Sequence, residues 1–446
     1  MVRSVSRVLP LLVVAFWLTG CDGLQGILHF GEEDKPPLPG ERIPVMLLDS
    51  KIEEDSALRD LDVQVPPPRR NVDWVTVAGV PSHAMHHVEA SDVPSKLWEV
   101  EFGEGNGGTD ILMAPPVVGD GRIFTFDSES VVAAFNAATG EKYWSRPILP
   151  EEEEEGNLGG GLAYDGGRLY VTTGAAQTIA LDATTGGELW RVHNLGPIRA
   201  APTVYAGRVF VVTVDSQLQA LDANDGSELW THAGISELAS ILGYASPAAE
   251  GNTLIAVYPS GEIFAFRIDT GTTVWNDALV SLRRVDAISA LSTIRGQPVI
   301  YDNQVYVIGH SGRMVAIDLR TGARVWEQDF GGIETPWVAG NFIFVLTNES
   351  ELVAIARQNG GIKWVRPMPR YEDPEAREDP ILWSGPILVS DRLILAGNNG
   401  ILASISPYTS ELLGTVELED GVSIPPVVAN GIIYFMTDDG ELVAYQ

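Results

Sequence analysis

TIALDATTGGELW, residues 178–190, gives the key to the architecture. It recurs. VAAFNAATGEKYW (132–144), LQALDANDGSELW (218–230), IFAFRIDTGTTVW (263–275), MVAIDLRTGARVW (314–326) and LVAIARQNGGIKW (352–364) share its frame. Each has an Ala, a Gly six residues on, and a Trp four beyond that. Ahead of each copy comes a second unit, such as PPVVGDGRIFTF (115–126), APTVYAGRVFVV (201–212) or QPVIYDNQVYVI (297–308). Short runs of Val, Ile, Phe and Tyr punctuated by Gly, Asp and Asn predict strands joined by hairpins. The repeated Gly stands where a tight turn needs positive φ. The Trp starts a strand and offers a broad flat surface to the neighbouring unit. A single four-stranded unit cannot bury both of its faces. Copies packed radially can, and that arrangement is a β-propeller.

The copies can be counted. Trp144, Trp190, Trp230, Trp275, Trp326 and Trp364 mark six of them. A seventh copy, ISPYTSELLGTVEL (405–418), has Gly414 in the Trp position. An eighth, PPVVANGIIYFMTDDGELVAYQ (425–446), ends before its Trp strand. The missing strand stands at the other end of the repeats, as KLWEVEFG (96–103) with Trp98. The expectation is therefore an all-β, eight-bladed β-propeller of four-stranded blades, closed by an N-terminal strand that completes the last blade. Over residues 73–446 this gives about 47 residues per blade, a usual size for such repeats. Closure of the ring also leaves no open sheet edge between first and last blades.

The N-terminal end reads differently. Arg3 and Arg7 precede an apolar run, Val8 to Leu18, too short for an ordinary membrane span. Thr19, Gly20 and Cys21 follow, and Cys21 is the only cysteine. Leu18-Thr19-Gly20-Cys21 resembles a bacterial lipobox, which implies a signal peptide over 1–20 and acylation of Cys21. More than one acyl chain is needed for stable anchoring. Residues 21–72, with EEDKPPLPGER and VPPPRR, are expected to form a Pro-rich acidic tether. A net charge of −31 repels nucleic acid phosphates, so no nucleic-acid partner is expected.

Ala180-x-Asp182-x-x-x-Gly186-x-x-x-Trp190 is a complete frame, repeated from Ala220 to Trp230 and from Ala316 to Trp326. It resembles the tryptophan-docking motif of quinoprotein (PQQ-type) propeller repeats, with Trp98, Trp144, Trp190, Trp230, Trp275, Trp326 and Trp364 as the docking residues. Lipobox, tether and eight blades in this order resemble the BamB family, lipoproteins of the outer-membrane β-barrel assembly machinery. SELASILGYASPAAEGNTLIAV (236–257) and AISALSTIRGQPVIYDNQVYV (287–307) are similar to that family's two central loop regions. TPWVAGNFIFVLT (335–347) and ILWSGPILVSDRLIL (381–395) resemble its alphaproteobacterial branch.

The resemblance implies a non-enzymatic scaffold without cofactor or metal, a monomeric subunit of a hetero-complex. It implies lipid anchoring on the periplasmic face of the outer membrane, although Asp22 beside the anchor resembles an inner-membrane retention signal. It implies a BamA-like barrel insertase and the other assembly subunits as partners, with Ile241 and Leu242 in one contact patch and Thr293 and Arg295 in the other; Tyr244 and Leu291 are expected as buried anchors beside them. Leu242, Thr293 and Arg295 depart from the family's charge pattern, so either the partner's surface has changed as well or the contact rests on apolar and backbone groups. The alternative is a PQQ-dependent dehydrogenase or a generic PQQ-repeat binding protein. The paired cysteines that many such dehydrogenases carry are missing here. The recurring Asp182, Asp222 and Asp318 read as turn caps, not as catalysts.

Three further features stand out. HAMHH brings together His83, His86 and His87; a polar crossing between tether and propeller is expected in preference to a zinc site. Glu151 to Glu155 reads as a solvated loop, and Gly159 to Gly161 as a turn. RYEDPEAREDP (370–380) reads as an inserted, charged accessory loop between the sixth and seventh blades.

Overall fold

The computed structural model describes residues 52–91, 94–107, 111–149, 159–236, 243–279 and 293–446. Eight four-stranded antiparallel sheets make up an eight-bladed propeller. Blade 1 consists of Val117–Gly119, Arg122–Phe126, Val131–Asn136 and Lys142–Pro147. Blades 2 to 7 follow over 160–193, 203–233, 248–278, 299–328, 337–367 and 383–417. Blade 8 takes Val427–Ala429, Ile432–Met436 and Glu441–Tyr445 from the C-terminus, and its fourth strand is Lys96–Glu101. Glu101 faces Glu441 and Trp98 faces Ala444, so the two chain ends are zipped into one sheet.

Each blade runs outward from a largely buried first strand to a fourth strand on the rim. Val117–Gly119, Trp337–Ala339 and Val427–Ala429 are wholly buried, whereas the fourth strands alternate or are exposed. The cores lie between blades. One joins Phe124, Val132 and Ala134 of blade 1 to Leu162, Val171 and Ile179 of blade 2. Another joins Ile255 and Ile263 of blade 4 to Val305 and Val315 of blade 5. A sheet that buries both faces against neighbours needs apolar residues at successive positions, which accounts for runs such as Phe342–Leu346.

The repeated frame has a definite geometry. Asp182 Oδ1 accepts from the Thr184 and Thr185 N–H groups at 3.0 and 2.8 Å, and Gly186 N donates to Asp182 O at 2.8 Å. These bonds hold the Asp182 carboxyl below its ordinary range, the Thr185 hydroxyl contributing most. Gly186 has φ +70°, and a Cβ there would stand 2.8 Å from the Trp144 ring of the preceding blade. Gly140, Gly226, Gly271, Gly322 and Gly360 face Trp98, Trp190, Trp230, Trp275 and Trp326 in the same way. The indoles also donate across the seam: Trp144 to Ala183 O at 3.2 Å, Trp230 to Ile268 O at 3.0 Å, Trp364 to Pro407 O at 3.0 Å. Each Trp is the third residue of its strand, not the first, and pairs with the motif Ala, as Ala180 with Trp190.

Other expectations are refined. Gly160 and Gly161 belong to the first strand of blade 2, Gly160–Asp165, and only Gly159 precedes it. A Cβ on Gly161 would lie 2.6 Å from that of Ala201, which leads into the next blade, whereas one on Gly160 would collide with Thr172 O of its own blade. Residues 370–380 form a small hairpin of Tyr371–Asp373 and Glu378–Pro380. The compact unit begins at Ile52, ahead of the expected propeller boundary at residue 73. Leu58 and Val63 are buried, Asp55 N donates to Ile362 O, and Gln64 N donates to Asn341 Oδ1 at 2.8 Å. A 3-10 turn, Ser56–Leu58, gives this stretch its local shape.

Candidate partner-binding site at the channel mouth

Residues 71–90 carry no strand pattern, yet they are bound to seven blades. Asn430 N donates to Asn71 O in blade 8, and Trp74 exchanges both backbone bonds with Val118 in blade 1. Tyr164 N donates to Val75 O, Ala249 N to Pro81 O and Ile300 N to Ser82 O. Trp337 Nε1 donates to His86 O at 2.5 Å, and Val88 N to Leu388 O at 3.1 Å. The segment thus crosses the ring at the hairpin ends between first and second strands, and acts as a strap. Trp74 is 2% exposed and stacks on Trp337 with ring centroids 6.4 Å apart.

The three histidines of HAMHH fasten this strap. His83 bonds Pro298 O through Nδ1 at 2.8 Å, and His87 bonds Pro66 O through Nδ1 at 2.7 Å. His87 Nε2 accepts from Asp391 N at 2.8 Å, while the His86 ring meets Tyr301 edge-on. Burial pushes His83 down to about 4, so it is neutral at physiological pH. Among the described residues no group of three or more His, Cys, Asp or Glu is placed to hold a metal ion.

Above the strap lies a cavity of about 720 Å³. Trp74, Val77 and His83 of the strap contribute to its lining, with segments leading into the first strands and, in blades 5 and 6, the turns between second and third strands at His310 and over residues 346–350. Arg199, Tyr244, Arg295, Glu334 and Trp383 come from successive parts of the ring. Desolvation raises the Glu334 carboxyl above its ordinary range; Arg295 and the Gly385 N–H, 3.4 Å from Oε2, pull it back. Ser246 N donates to Gln297 Oε1 at 2.6 Å, and Gln297 N to Thr335 Oγ1 at 3.2 Å, which ties three of these lead-in segments together.

Three of the six expected contact residues can be placed. Tyr244 and Arg295 line the cavity together. Thr293 has no exposed surface, and its backbone O accepts from His310 N at 3.1 Å. Ile241, Leu242 and Leu291 lie outside the described residues, as does Cys21. Sequence reasoning does not single out Glu334 and Trp337. They belong to the repeat pattern as a lead-in and a first strand, and only ring closure turns them toward a common space.

Residues 128–366 match the family model of outer membrane protein assembly factor BamB. The chain belongs to the BamB family. BamB of Escherichia coli (strain K12) is 28% identical over 360 residues, covering 80% of this chain and 89% of that protein. The crystal structure of BamB from Moraxella catarrhalis covers 79% of this chain and 100% of its own, at TM-score 0.66 and 19% identity. A europium-containing methanol dehydrogenase reaches TM-score 0.67 at 15% identity, over 82% of this chain and 89% of its own. At such identities the two structures share the fold with this BamB-family chain; their chemistry does not transfer.

Proposed function

We propose that this chain is a non-enzymatic scaffold subunit of the outer-membrane β-barrel assembly machinery. The match to the BamB family model over 128–366 carries this reading. Cys21 is acylated and holds the protein on the periplasmic face of the outer membrane, and the ring presents the channel-mouth loops to a BamA-type insertase. Ile241, Leu242 and Leu291 supply apolar contacts. Tyr244 and Arg295 form the inner wall of that contact, and the buried Thr293 sets the course of its loop. The bonds of Gln297 to Ser246 and Thr335 fix the lead-in segments beforehand, so little ordering cost falls on binding.

Affinity purification from gently solubilised membranes should recover the insertase with the tagged chain, and its reproducible absence would argue against the role. Tyr244→Ala combined with Arg295→Ala should weaken that recovery while leaving the fold intact by circular dichroism. Cys21→Ser should abolish acyl-chain labelling and release the protein from membranes. Labelling that persists in the variant would defeat the anchor.

A further inference from the structure

Seven tryptophans dock on the turn between third and fourth strands of the next blade. Blade 7 has none to offer, because Gly414 occupies the position, paired with Ser404 as Ala354 is with Trp364. The reason lies in blade 8. Its third strand, Glu441–Tyr445, and its fourth, Lys96–Glu101, are not consecutive in the chain, so no hairpin turn of the kind that receives the other indoles joins them. A Cβ on Gly414 would meet nothing within 4 Å.

The outermost strand of blade 7, Leu412–Glu417, is consequently unlike its counterparts. Every residue in it is exposed, whereas the other seven fourth strands each cover some positions. Leu412, Leu413 and Val416 are 49%, 54% and 39% exposed. Elsewhere an Arg reaches over the seam, as Arg146 Nη1 does to Gly186 O at 2.9 Å and Arg366 Nη1 to Ser410 O at 2.7 Å. Leu412–Glu417 contains neither Arg nor Trp.

Its backbone and charge define what fits. Leu418 N donates inward to Gly400 O, so antiparallel alternation turns Val416 and Gly414 inward. Thr415 and Glu417 then present N–H and C=O groups outward, up to the bulge at Leu413. The surroundings are acidic: Glu411, Glu417, Glu419 and Asp420, with Asp439, Glu441 and Glu99 beside them. Lys96, 3.9 Å from Glu419, is the basic group paired there. A like-charged second copy of this chain is disfavoured at such an edge.

We propose that Leu412–Glu417 is a docking edge that accepts, by β-addition, an extended partner strand with apolar residues between lysine or arginine flanks. This surface is separate from the channel mouth, and the proposal stands whether or not the insertase binds there.

The probe is a fluorescein-labelled peptide, Lys-Val-Thr-Val-Thr-Val-Lys, titrated onto the full-length protein by polarisation. Proline at Thr415 removes one outward N–H and no ladder bond within the sheet. Thr231→Pro does the same on the rim of blade 3, where Gly234 N donates to Ser216 O in the equivalent register. Thr415→Pro should weaken binding about tenfold or more, and Thr231→Pro should not. Replacing the peptide lysines by glutamate should cost at least as much. No binding to the native protein, or equal effects of the two prolines, would overturn the proposal. So would self-association in sedimentation that Thr415→Pro abolishes without any peptide binding. Should Thr415→Pro fail to fold, amide exchange on the native protein decides. Peptide should slow exchange at Thr415 and Glu417, and slowing confined to the channel mouth would refute the assignment.

Discussion

At the scale of single residues, the Gly of the frame serves two needs at once. It takes φ near +70° and leaves room for an indole. Gly226 meets both demands: its φ is +76°, and a Cβ there would stand 2.7 Å from the Trp190 ring. Gly226→Ala should therefore cost about 2 kcal/mol in urea unfolding, from backbone strain plus displacement of the ring. Ser410 holds the same place in blade 7 with φ +62°, an unfavourable region for a side chain. Ser410→Gly should accordingly stabilise the protein by about 0.5–1 kcal/mol in the same assay. His83 supplies a pH dependence. Unfolded, its imidazole protonates near 6.5; folded, only near 4. Its contribution is complete above the first value, is lost as pH falls between the two, and levels off below the second. The loss reaches about 3 kcal/mol at most. His83→Asn tolerates the positive φ of 62° and can keep a donor on Pro298 O. Unfolding at pH 7 and pH 4 should show a smaller decline for the variant than for the native chain. The Gly and Trp roles were legible because they recur in sequence. For His83 a polar crossing was legible from the HAMHH cluster, but its partner on Pro298 O was not, since that lies more than 200 positions away and in no repeat.

At the scale of elements, a fourth strand is only as useful as the turn that receives its Trp. Trp364 is 5% exposed, donates to Pro407 O and packs on the turn of blade 7. Trp364→Gly should cost about 3–5 kcal/mol, the range for truncating a buried indole. The reverse change, Gly414→Trp, adds an indole opposite a blade that has no turn for it. It should move stability by no more than about 0.5 kcal/mol and give a solvent-exposed fluorescence maximum. A stabilisation comparable to the loss at Trp364 would show that the seam between blades 7 and 8 can receive a ring after all. The strap over 71–90 is an element of another kind, since its backbone bonds run to seven different sheets and follow no period. Hydrophobic periodicity, the signal that revealed the strands, carries no information about such a segment.

For the whole molecule, closure joins Lys96–Glu101 to Glu441–Tyr445, so removal of either end opens the ring. A chain beginning at Ile52 should unfold at the same urea midpoint as the full-length protein. One beginning at Gly103 loses the strap and the closing strand, and should unfold earlier and in more than one step. Equal midpoints for both would refute the closing role. The blade, the blade number, the Trp-free seventh copy and the split eighth can be read from the chain alone, because these are local patterns repeated at a fixed spacing. Folding brings in what no local pattern carries: residues 52–90 are fastened along the ring, Tyr244 and Arg295 share a cavity with Glu334, and Leu412–Glu417 is left bare. The physical reason is common to all three. They depend on which groups meet when distant segments are brought around one axis, and a repeat looks the same in sequence wherever on that ring it stands.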